Sequence, residues 1–154
     1  MLEINQTAPT FCTPDQYNRE VCLSDFTDKH HVVLYFYPKD DTPGCTIEAN
    51  QFTQLSAEFS ALDTVILGVS KDSSISHQEF IDKYSLDIDL LADTTGELCE
   101  AYEVWQEKEK DGVKKMGIVR STFIIDKSGK LVDAMYGVAA EGHAQEVLDK
   151  IKSL

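Results

Sequence analysis

Residues 32–46 read VVLYFYPKDDTPGCT and contain the two structural signals on which the rest of the chain depends. The first six residues form a short, unbroken apolar run, rich in β-branched and aromatic side chains, which predicts a strand buried on both faces. Pro38 ends this strand because proline lacks the amide hydrogen that a sheet requires. Thr42 and Pro43 then predict the start of a helix, with a hydroxyl residue at the N-cap and proline at the first helical position.

Cys45 falls in the first turn of that predicted helix. Amide groups in a first turn have no intrahelical acceptor, and the helix dipole places partial positive charge there, so a thiolate is favoured over a thiol. Because the thiolate is the reactive form of cysteine, Cys45 is a candidate nucleophile. The alternative is a small buried hydrophobic residue that happens to lie near a helix start. The strand and turn before Cys45 favour the nucleophile.

The composition argues against several classes of protein. Of the 154 residues, 14 are basic and 27 are acidic, and the resulting net charge of −13 argues against binding to nucleic acid or to anionic membranes. No stretch approaches the roughly 18 apolar residues of a membrane span. The N-terminus lacks the basic and apolar segments of a secretory signal. We therefore expect a single domain over residues 1–154, located in the cytoplasm.

The four cysteines, Cys12, Cys22, Cys45 and Cys99, show neither a C-x-x-C motif nor the spacing of a zinc site, so we expect no metal or other cofactor. Between residues 10 and 23, two short extended segments flank a turn-rich stretch, which predicts an N-terminal β-hairpin. Cys12 and Cys22 would lie near each other across it. A disulfide between them is conceivable, but we favour two reduced, half-buried thiols because disulfide geometry is demanding.

Helices and strands alternate along the remainder of the chain. Helices are predicted for residues 42–62, 73–84, 94–102 and 141–154, and strands for 63–70, 88–91, 120–126 and 131–136. The charged segment at 106–115, centred on Asp111-Gly112, predicts a hairpin-type turn or a mobile arm. This order indicates an α/β sandwich with a mixed central sheet flanked by helices. We expect Cys99 to be a small core thiol, and His77 and His143 to lie on the surface.

Glu48 lies one turn after Cys45, on the apolar side of the helix that begins at Thr42. This side is defined by residues spaced three or four apart: Cys45, Glu48, Phe52, Leu55, Phe59 and Leu62. A buried carboxylate costs free energy unless a cation or a hydrogen-bond donor pairs with it. We therefore expect such a partner for Glu48, and the alternative is that Glu48 reaches water at the edge of the apolar face.

The stretch from Phe36 to Thr46 resembles the active-site motif of the peroxiredoxins. Pro38, Thr42 and Cys45 match the family pattern P-x-x-x-T-x-x-C, and their surroundings look like the bacterioferritin comigratory protein, or peroxiredoxin Q, branch. The likeness covers almost the whole chain and includes Pro9, Phe11, Pro14-Asp15 and residues 23–26, 68–70, 102–105 and 117–126.

This resemblance implies a thioredoxin-like fold and a thiol-dependent peroxidase that reduces hydrogen peroxide and organic hydroperoxides, with thioredoxin or a small thiol as the reductant. By the same resemblance Cys45 is the peroxidatic cysteine, and Thr42 and Arg120 complete its pocket. An arginine supplies permanent positive charge and several donors, which a thiolate needs in so acidic a chain. We expect no nucleic-acid or membrane partner, and a monomer or weak dimer. Four further residues are expected to support the pocket: Pro38, Pro43, Gly44 and Glu48.

The chain departs from the family pattern at the resolving cysteine. Many relatives carry this second cysteine five residues after the peroxidatic one, where this chain has Asn50, and others carry it around residues 80–84, where this chain has none. We therefore expect a one-cysteine cycle in which an external thiol reduces the Cys45 sulfenic acid. The alternatives are that Cys99 resolves the sulfenic acid, that Cys12 or Cys22 does so, or that the protein is a peroxide sensor rather than an enzyme that turns over.

Overall fold

The apolar run at residues 32–37 provides the central strand of a five-stranded sheet in the computed structural model, which describes residues 1–154. The elements are β1 (Cys12–Pro14), β2 (Glu20–Cys22), β3 (His31–Phe36), α1 (Pro43–Ala61), β4 (Thr64–Ser70), α2 (Ser74–Tyr84), β5 (Asp89–Ala92), α3 (Glu97–Ala101), β6 (Trp105–Lys110), β7 (Val113–Ile118), β8 (Ser121–Ile125), β9 (Leu131–Tyr136) and α4 (His143–Lys152). The sheet order is β5-β4-β3-β8-β9. Because β3 pairs in parallel with β4 and antiparallel with β8, the sheet is mixed, as expected.

Alternate residues of β3 point to opposite faces of the sheet and contribute to two separate cores. Tyr35 belongs to the core that α1, α2 and α4 cover. Phe36 belongs to the core on the other face, which α3 and the N-terminal segment cover. The expected sandwich, with helices on both sides of a mixed sheet, is therefore confirmed, and no helix is both long and apolar enough to cross a membrane.

The loop between β3 and α1 lies at the edge of the sheet where three parallel strands end. β3, β4 and β5 run in the same direction, so their C-terminal ends share this edge. In open α/β sheets this edge is where ligands bind. Residues 37–42 cross it and deliver Cys45 in the first turn of α1.

The N-terminal hairpin is present, and its register places Cys12 directly opposite Cys22. Our preference for two reduced thiols is wrong, because the two sulfurs form a disulfide. The register explains the difference: it places the two residues directly opposite each other, so both side chains lie on the same face of the hairpin.

The remaining elements lie within about three residues of their predicted bounds. Of the two alternatives for residues 106–115, the hairpin-type turn is confirmed, because this segment joins the antiparallel pair β6 and β7. The turn between them consists of Asp111 and Gly112, which both have positive φ, as two-residue hairpin turns require.

His77 and His143 are both buried, and the prediction that they lie on the surface is wrong. The ring of His77 contacts Asp40 and the carbonyl of Leu91, and the Nε2 atom of His143 lies 2.8 Å from Thr122 Oγ1. Buried polar groups are tolerated when they are hydrogen-bonded. Partners from distant elements satisfy both rings here, and helical periodicity does not reveal such partners.

Candidate active site

Cys45 is the third residue of α1 and is only 2% exposed. The helix begins at Pro43, and its first backbone hydrogen bond runs from the amide of Thr46 to the carbonyl of Thr42, at 2.9 Å. The amides of Gly44 and Cys45 precede this bond and have no acceptor within the chain. Cys45 therefore lies in a helix turn that has two free donors and the positive end of the helix dipole.

Arg120 occupies the last position before β8 and places its guanidinium between Cys45 and Glu48. Nη2 donates to Cys45 Sγ at 3.4 Å, and Nη1 donates to Glu48 Oε1 at 2.7 Å. Burial opposes the positive charge, but Glu48 and Cys45 together raise the pKa of Arg120 above its ordinary value. Gly44 permits this approach, because a Cβ atom there would lie 3.1 Å from Nη2.

Glu48 is fully buried beneath Cys45, and its Oε2 atom has no hydrogen-bond partner. Burial raises the pKa of Glu48 to about 7, against the lowering effect of Arg120. The predicted cationic partner is therefore present and is Arg120. The pair holds one guanidinium nitrogen in place, so the other nitrogen faces the sulfur.

Thr42 is at the N-cap position of α1 and has the extended backbone typical of that position. Its hydroxyl does not cap the helix: Oγ1 donates to the carbonyl of Lys39 at 2.8 Å. The predicted N-cap position of Thr42 is confirmed, and a carbonyl of the same loop takes the hydroxyl in place of a helix amide. The oxygen lone pairs of Thr42 remain free to accept a hydrogen bond at the start of the helix.

Tyr35 was not singled out by the sequence, although it belongs to the same core as Cys45. Its ring stacks on Phe52 with centroids 4.7 Å apart, and its buried hydroxyl has no partner. Burial raises the pKa of Tyr35 well above its ordinary value, and the nearby Glu48 and Cys45 raise it further. The phenol therefore stays neutral. The alternation of β3 places residue 35 on the Cys45 side, and this was the signal available in the sequence.

The other three cysteines lie away from this cluster. Cys99 is completely buried on the opposite face of the sheet, and burial raises the pKa of its thiol far above the ordinary value, with Asp93 raising it further. Cys12 and Cys22 are joined to each other. The structure thus brings Cys45, Arg120 and Glu48 together, with Thr42 and Gly44 at the helix start, and separates them from every other thiol.

The two prolines of the motif shape the backbone and make no hydrogen bond to the cluster. Pro38 is exposed and follows the end of β3, and Pro43 is the exposed first residue of α1. The largest surface cavity described, of about 430 Å³, lies between the N-terminal hairpin and α3 and contains neither Cys45 nor Arg120.

Comparison with known proteins gives consistent matches. The model of the AhpC/TSA family matches residues 4–134. A putative peroxiredoxin bcp of Helicobacter pylori J99 is 45% identical over 150 residues, covering 97% of this chain and 98% of the relative. Peroxiredoxin Bcp of Bacillus subtilis is 44% identical over 153 residues, covering 99% and 97% of the two chains.

Solved structures agree with these matches. A cysteine variant of PrxQ from Xylella fastidiosa superimposes with a TM-score of 0.93 at 37% identity, over 99% of this chain and 97% of that chain. A bacterioferritin comigratory protein of Xanthomonas campestris, described for its alkyl peroxide reduction activity, superimposes with a TM-score of 0.88 at 38% identity, over 93% and 90% of the chains. The expected thioredoxin-like fold is confirmed, and the chain belongs to the AhpC/TSA family as a peroxiredoxin of the Bcp, or peroxiredoxin Q, group.

Proposed function

We propose that Cys45 of this peroxiredoxin is the nucleophile that reduces hydrogen peroxide and organic hydroperoxides, and that Arg120 and Thr42 bind the peroxide. The observation that carries the proposal is the position of the sulfur, which has Arg120 Nη2 at 3.4 Å and lies beside two amides without acceptors. Donors arranged in advance around a reacting centre stabilise the charge that develops in the transition state.

The reaction has one bond-forming and one bond-breaking event. The Cys45 thiolate attacks the terminal oxygen of the peroxide, a sulfur–oxygen bond forms and the oxygen–oxygen bond breaks. The terminal oxygen keeps its hydrogen, which gives a sulfenic acid. The other oxygen leaves as hydroxide from hydrogen peroxide, or as an alkoxide from an organic hydroperoxide, and the leaving group becomes water or an alcohol once it takes a proton from solvent. Sulfur is oxidised and the peroxide is reduced.

The surrounding residues have separate roles in this step. Because the Thr42 hydroxyl already donates to Lys39, its oxygen accepts the hydrogen of the attacked peroxide oxygen. Arg120 and the amide of Cys45 donate to the oxygen that leaves as its negative charge grows. Glu48 orients Arg120 by holding Nη1 at 2.7 Å. Arg120 thereby provides a local positive centre in a chain of net charge −13.

For the second half of the cycle we propose direct reduction by an external thiol, supplied by thioredoxin or by a small thiol. The thiol condenses with the sulfenic acid to form a mixed disulfide and water, and a second thiol then releases Cys45. Three observations support this cycle. Residue 50 is asparagine, α2 contains no cysteine, and Cys99 is buried on the opposite face of the sheet.

Oxidation with one equivalent of peroxide tests the one-cysteine cycle. After full reduction of the protein, we expect mass spectrometry to find a Cys45 sulfenic acid, trapped by dimedone, and no disulfide that includes Cys45. Cys99→Ala serves as the matched control and should give the same product. A disulfide between Cys45 and Cys99, or one between Cys45 and either hairpin cysteine, would refute the cycle.

Steady-state turnover with a thiol donor distinguishes the enzyme from a sensor, which would be oxidised once and stop.

The proposal also includes a single domain over residues 1–154, a monomer or weak dimer, and a cytoplasmic location, where thiol reductants are kept reduced. Disulfides are rare in that compartment, so the state of Cys12 and Cys22 tests the location. Rapid alkylation of cell extracts should find that cellular thiols reduce part of the Cys12–Cys22 disulfide seen in the structure, whereas a fully retained disulfide would point to an oxidising compartment. Sedimentation at micromolar concentrations tests the oligomeric state.

A further inference from the structure

A buried pair of polar side chains connects the loop before Cys45 to the second helix. Asp40 lies in this loop, and His77 lies in the first turns of α2. His77 Nδ1 is 2.7 Å from Asp40 Oδ2, and their side chains are 0% and 5% exposed. The contact spans 37 residues of sequence, and neither residue touches the Cys45 sulfur.

Both ring nitrogens of His77 have hydrogen-bond partners inside the protein. Nε2 lies 2.8 Å from the carbonyl oxygen of Leu91, which can only accept, so Nε2 carries a hydrogen. Nδ1 faces Asp40, which also accepts from the hydroxyls of Tyr37 and Ser76. The ring therefore links the loop before Cys45 to β5 through two hydrogen bonds.

The network joins three elements at the edge of the sheet where Cys45 lies. Asp40 belongs to the β3–α1 loop, His77 to α2, and Leu91 to β5. The amide of Asp40 donates to Asp72 Oδ2 at 2.8 Å, which adds a contact just after β4. The loop is thus held at a point two residues before Thr42 and five residues before Cys45.

We propose that His77 is a positioning residue for the peroxidatic site, which acts through Asp40 to hold the β3–α1 loop in the conformation that presents Thr42 and the first turn of α1 to the peroxide. The proposal rests on the function proposed above for Cys45. Its physical basis is that removal of the ring deprives the buried carboxyl group of Asp40 of a hydrogen-bond partner, so the loop must move to bring water to Asp40. A movement of about 1 Å in a catalytic group is enough to slow a reaction strongly.

The chain provides a matched control in the neighbouring residue of the same loop. Asp41 also contacts α2, through Lys83 Nζ at 2.7 Å, but the two side chains are 41% and 58% exposed. Exposed ion pairs contribute little because water and salt screen them. The two pairs therefore connect the same loop to the same helix and differ mainly in burial.

The experiment compares His77→Gln with Lys83→Gln. Stopped-flow measurement of Cys45 oxidation by hydrogen peroxide should show the second-order rate constant lowered about tenfold or more in His77→Gln and changed less than about twofold in Lys83→Gln. Hydrogen exchange at the amides of residues 40–46 should accelerate in His77→Gln alone. If His77 had a purely structural role, His77→Gln would lower only the thermal midpoint of unfolding. At temperatures well below that midpoint, the rate constant of Cys45 oxidation and the amide exchange of residues 40–46 would then be unchanged, and that result would overturn the proposal.

Two further measurements keep the proposal testable if His77→Gln does not fold. Asp40→Asn retains the shape of the carboxyl group and should slow Cys45 oxidation to a similar extent, and an unchanged rate would overturn the proposal. In the unmodified protein, NMR should show that the hydrogen on His77 Nε2 exchanges slowly with solvent, as its bond to the Leu91 carbonyl requires, and rapid exchange would also overturn the proposal. Failure of the proposed function would appear differently, as peroxide turnover that persists in Cys45→Ser.

Discussion

Cys45 and Cys99 occupy equivalent positions in two helices, and different polar groups lie beside them. Each is the third residue of its helix, α1 or α3, and each is almost completely buried. The amides at the start of α1 have no acceptor, whereas Asp93 accepts from the amides of Leu98 and Cys99 at 3.1 and 2.8 Å. A helix start is therefore not sufficient to activate a cysteine.

The charge that faces each sulfur accounts for the difference. Arg120 places a positively charged donor 3.4 Å from the Cys45 sulfur. Burial raises the pKa of Cys99, and the carboxylate of Asp93 raises it further, so Cys99 remains a thiol. The same local position thus gives the proposed nucleophile on one face of the sheet and a core residue on the other.

Replacing each cysteine separately gives the largest expected effect. Cys45→Ser should abolish thiol-dependent peroxide turnover, because serine at this site is a far weaker nucleophile. Cys99→Ala should retain most of the activity. Turnover is measured by coupled oxidation of a thiol donor, with circular dichroism to confirm that both variants fold. Loss of activity in a folded Cys99→Ala variant would mean that Cys99 takes part in the cycle.

Glu48, on the same face of the sheet as Cys45, should make the free energy of unfolding depend on pH. Its pKa is about 7 in the folded state against 4.5 for the ordinary group. The folded state therefore holds the proton more tightly, and the contribution of Glu48 to the free energy of unfolding falls as pH rises from 4.5 to 7. The total change is about 3 kcal/mol.

Urea unfolding at several pH values tests this dependence. Glu48→Gln cannot titrate, so the difference in unfolding free energy between this variant and the unmodified protein should change by about 3 kcal/mol between pH 4.5 and 8. Parallel pH profiles would contradict the raised pKa of Glu48.

Arg120→Lys tests whether the charge beside Cys45 needs the geometry of a guanidinium. Lysine keeps the charge but cannot donate to the sulfur and to Glu48 from two fixed nitrogens. We expect the rate constant for Cys45 oxidation to fall about tenfold, which corresponds to ~1.4 kcal/mol in the barrier. Stopped-flow kinetics under pseudo-first-order conditions measure it. An unchanged rate would show that Arg120 has only a structural role.

The glycines at the two helix starts give the smallest expected effects and should act on different properties. Gly44→Ala places a Cβ atom 3.1 Å from Arg120 Nη2, so it should slow Cys45 oxidation roughly threefold, by moving the guanidinium. Gly96 is the N-cap residue of α3 and has a φ of +82°, so an alanine there would be strained. Gly96→Ala should therefore lower the free energy of unfolding by about 1 kcal/mol. It should leave Cys45 oxidation unchanged. If both variants affected only stability, the proposed role of Gly44 would be wrong.

Much of the fold was predictable from local sequence patterns. The apolar run at residues 32–37 and the spacing of Phe52 and Phe59 follow directly from strand and helix periodicity. The need for a cation near Glu48 was also predictable, because an apolar helix face cannot bury a lone carboxylate. Patterns of this kind do not identify the buried roles of His77 and His143 or the Cys12–Cys22 bond, because their partners come from other elements or depend on strand register.

The sequence by itself determined a strand, a turn and a helix that carries a cysteine in its first turn, together with the acidic composition and the absence of a cysteine at position 50. These features depend on residues close together in the chain, whose conformations follow from backbone sterics and side-chain periodicity. Only the tertiary structure decided which buried cysteine meets a cation, because Arg120 reaches Cys45 across 75 residues of sequence. It likewise decided that Asp40 meets His77. Both contacts exist because the sheet brings distant segments to one edge, and in that low-dielectric environment the position of each charge governs the chemistry.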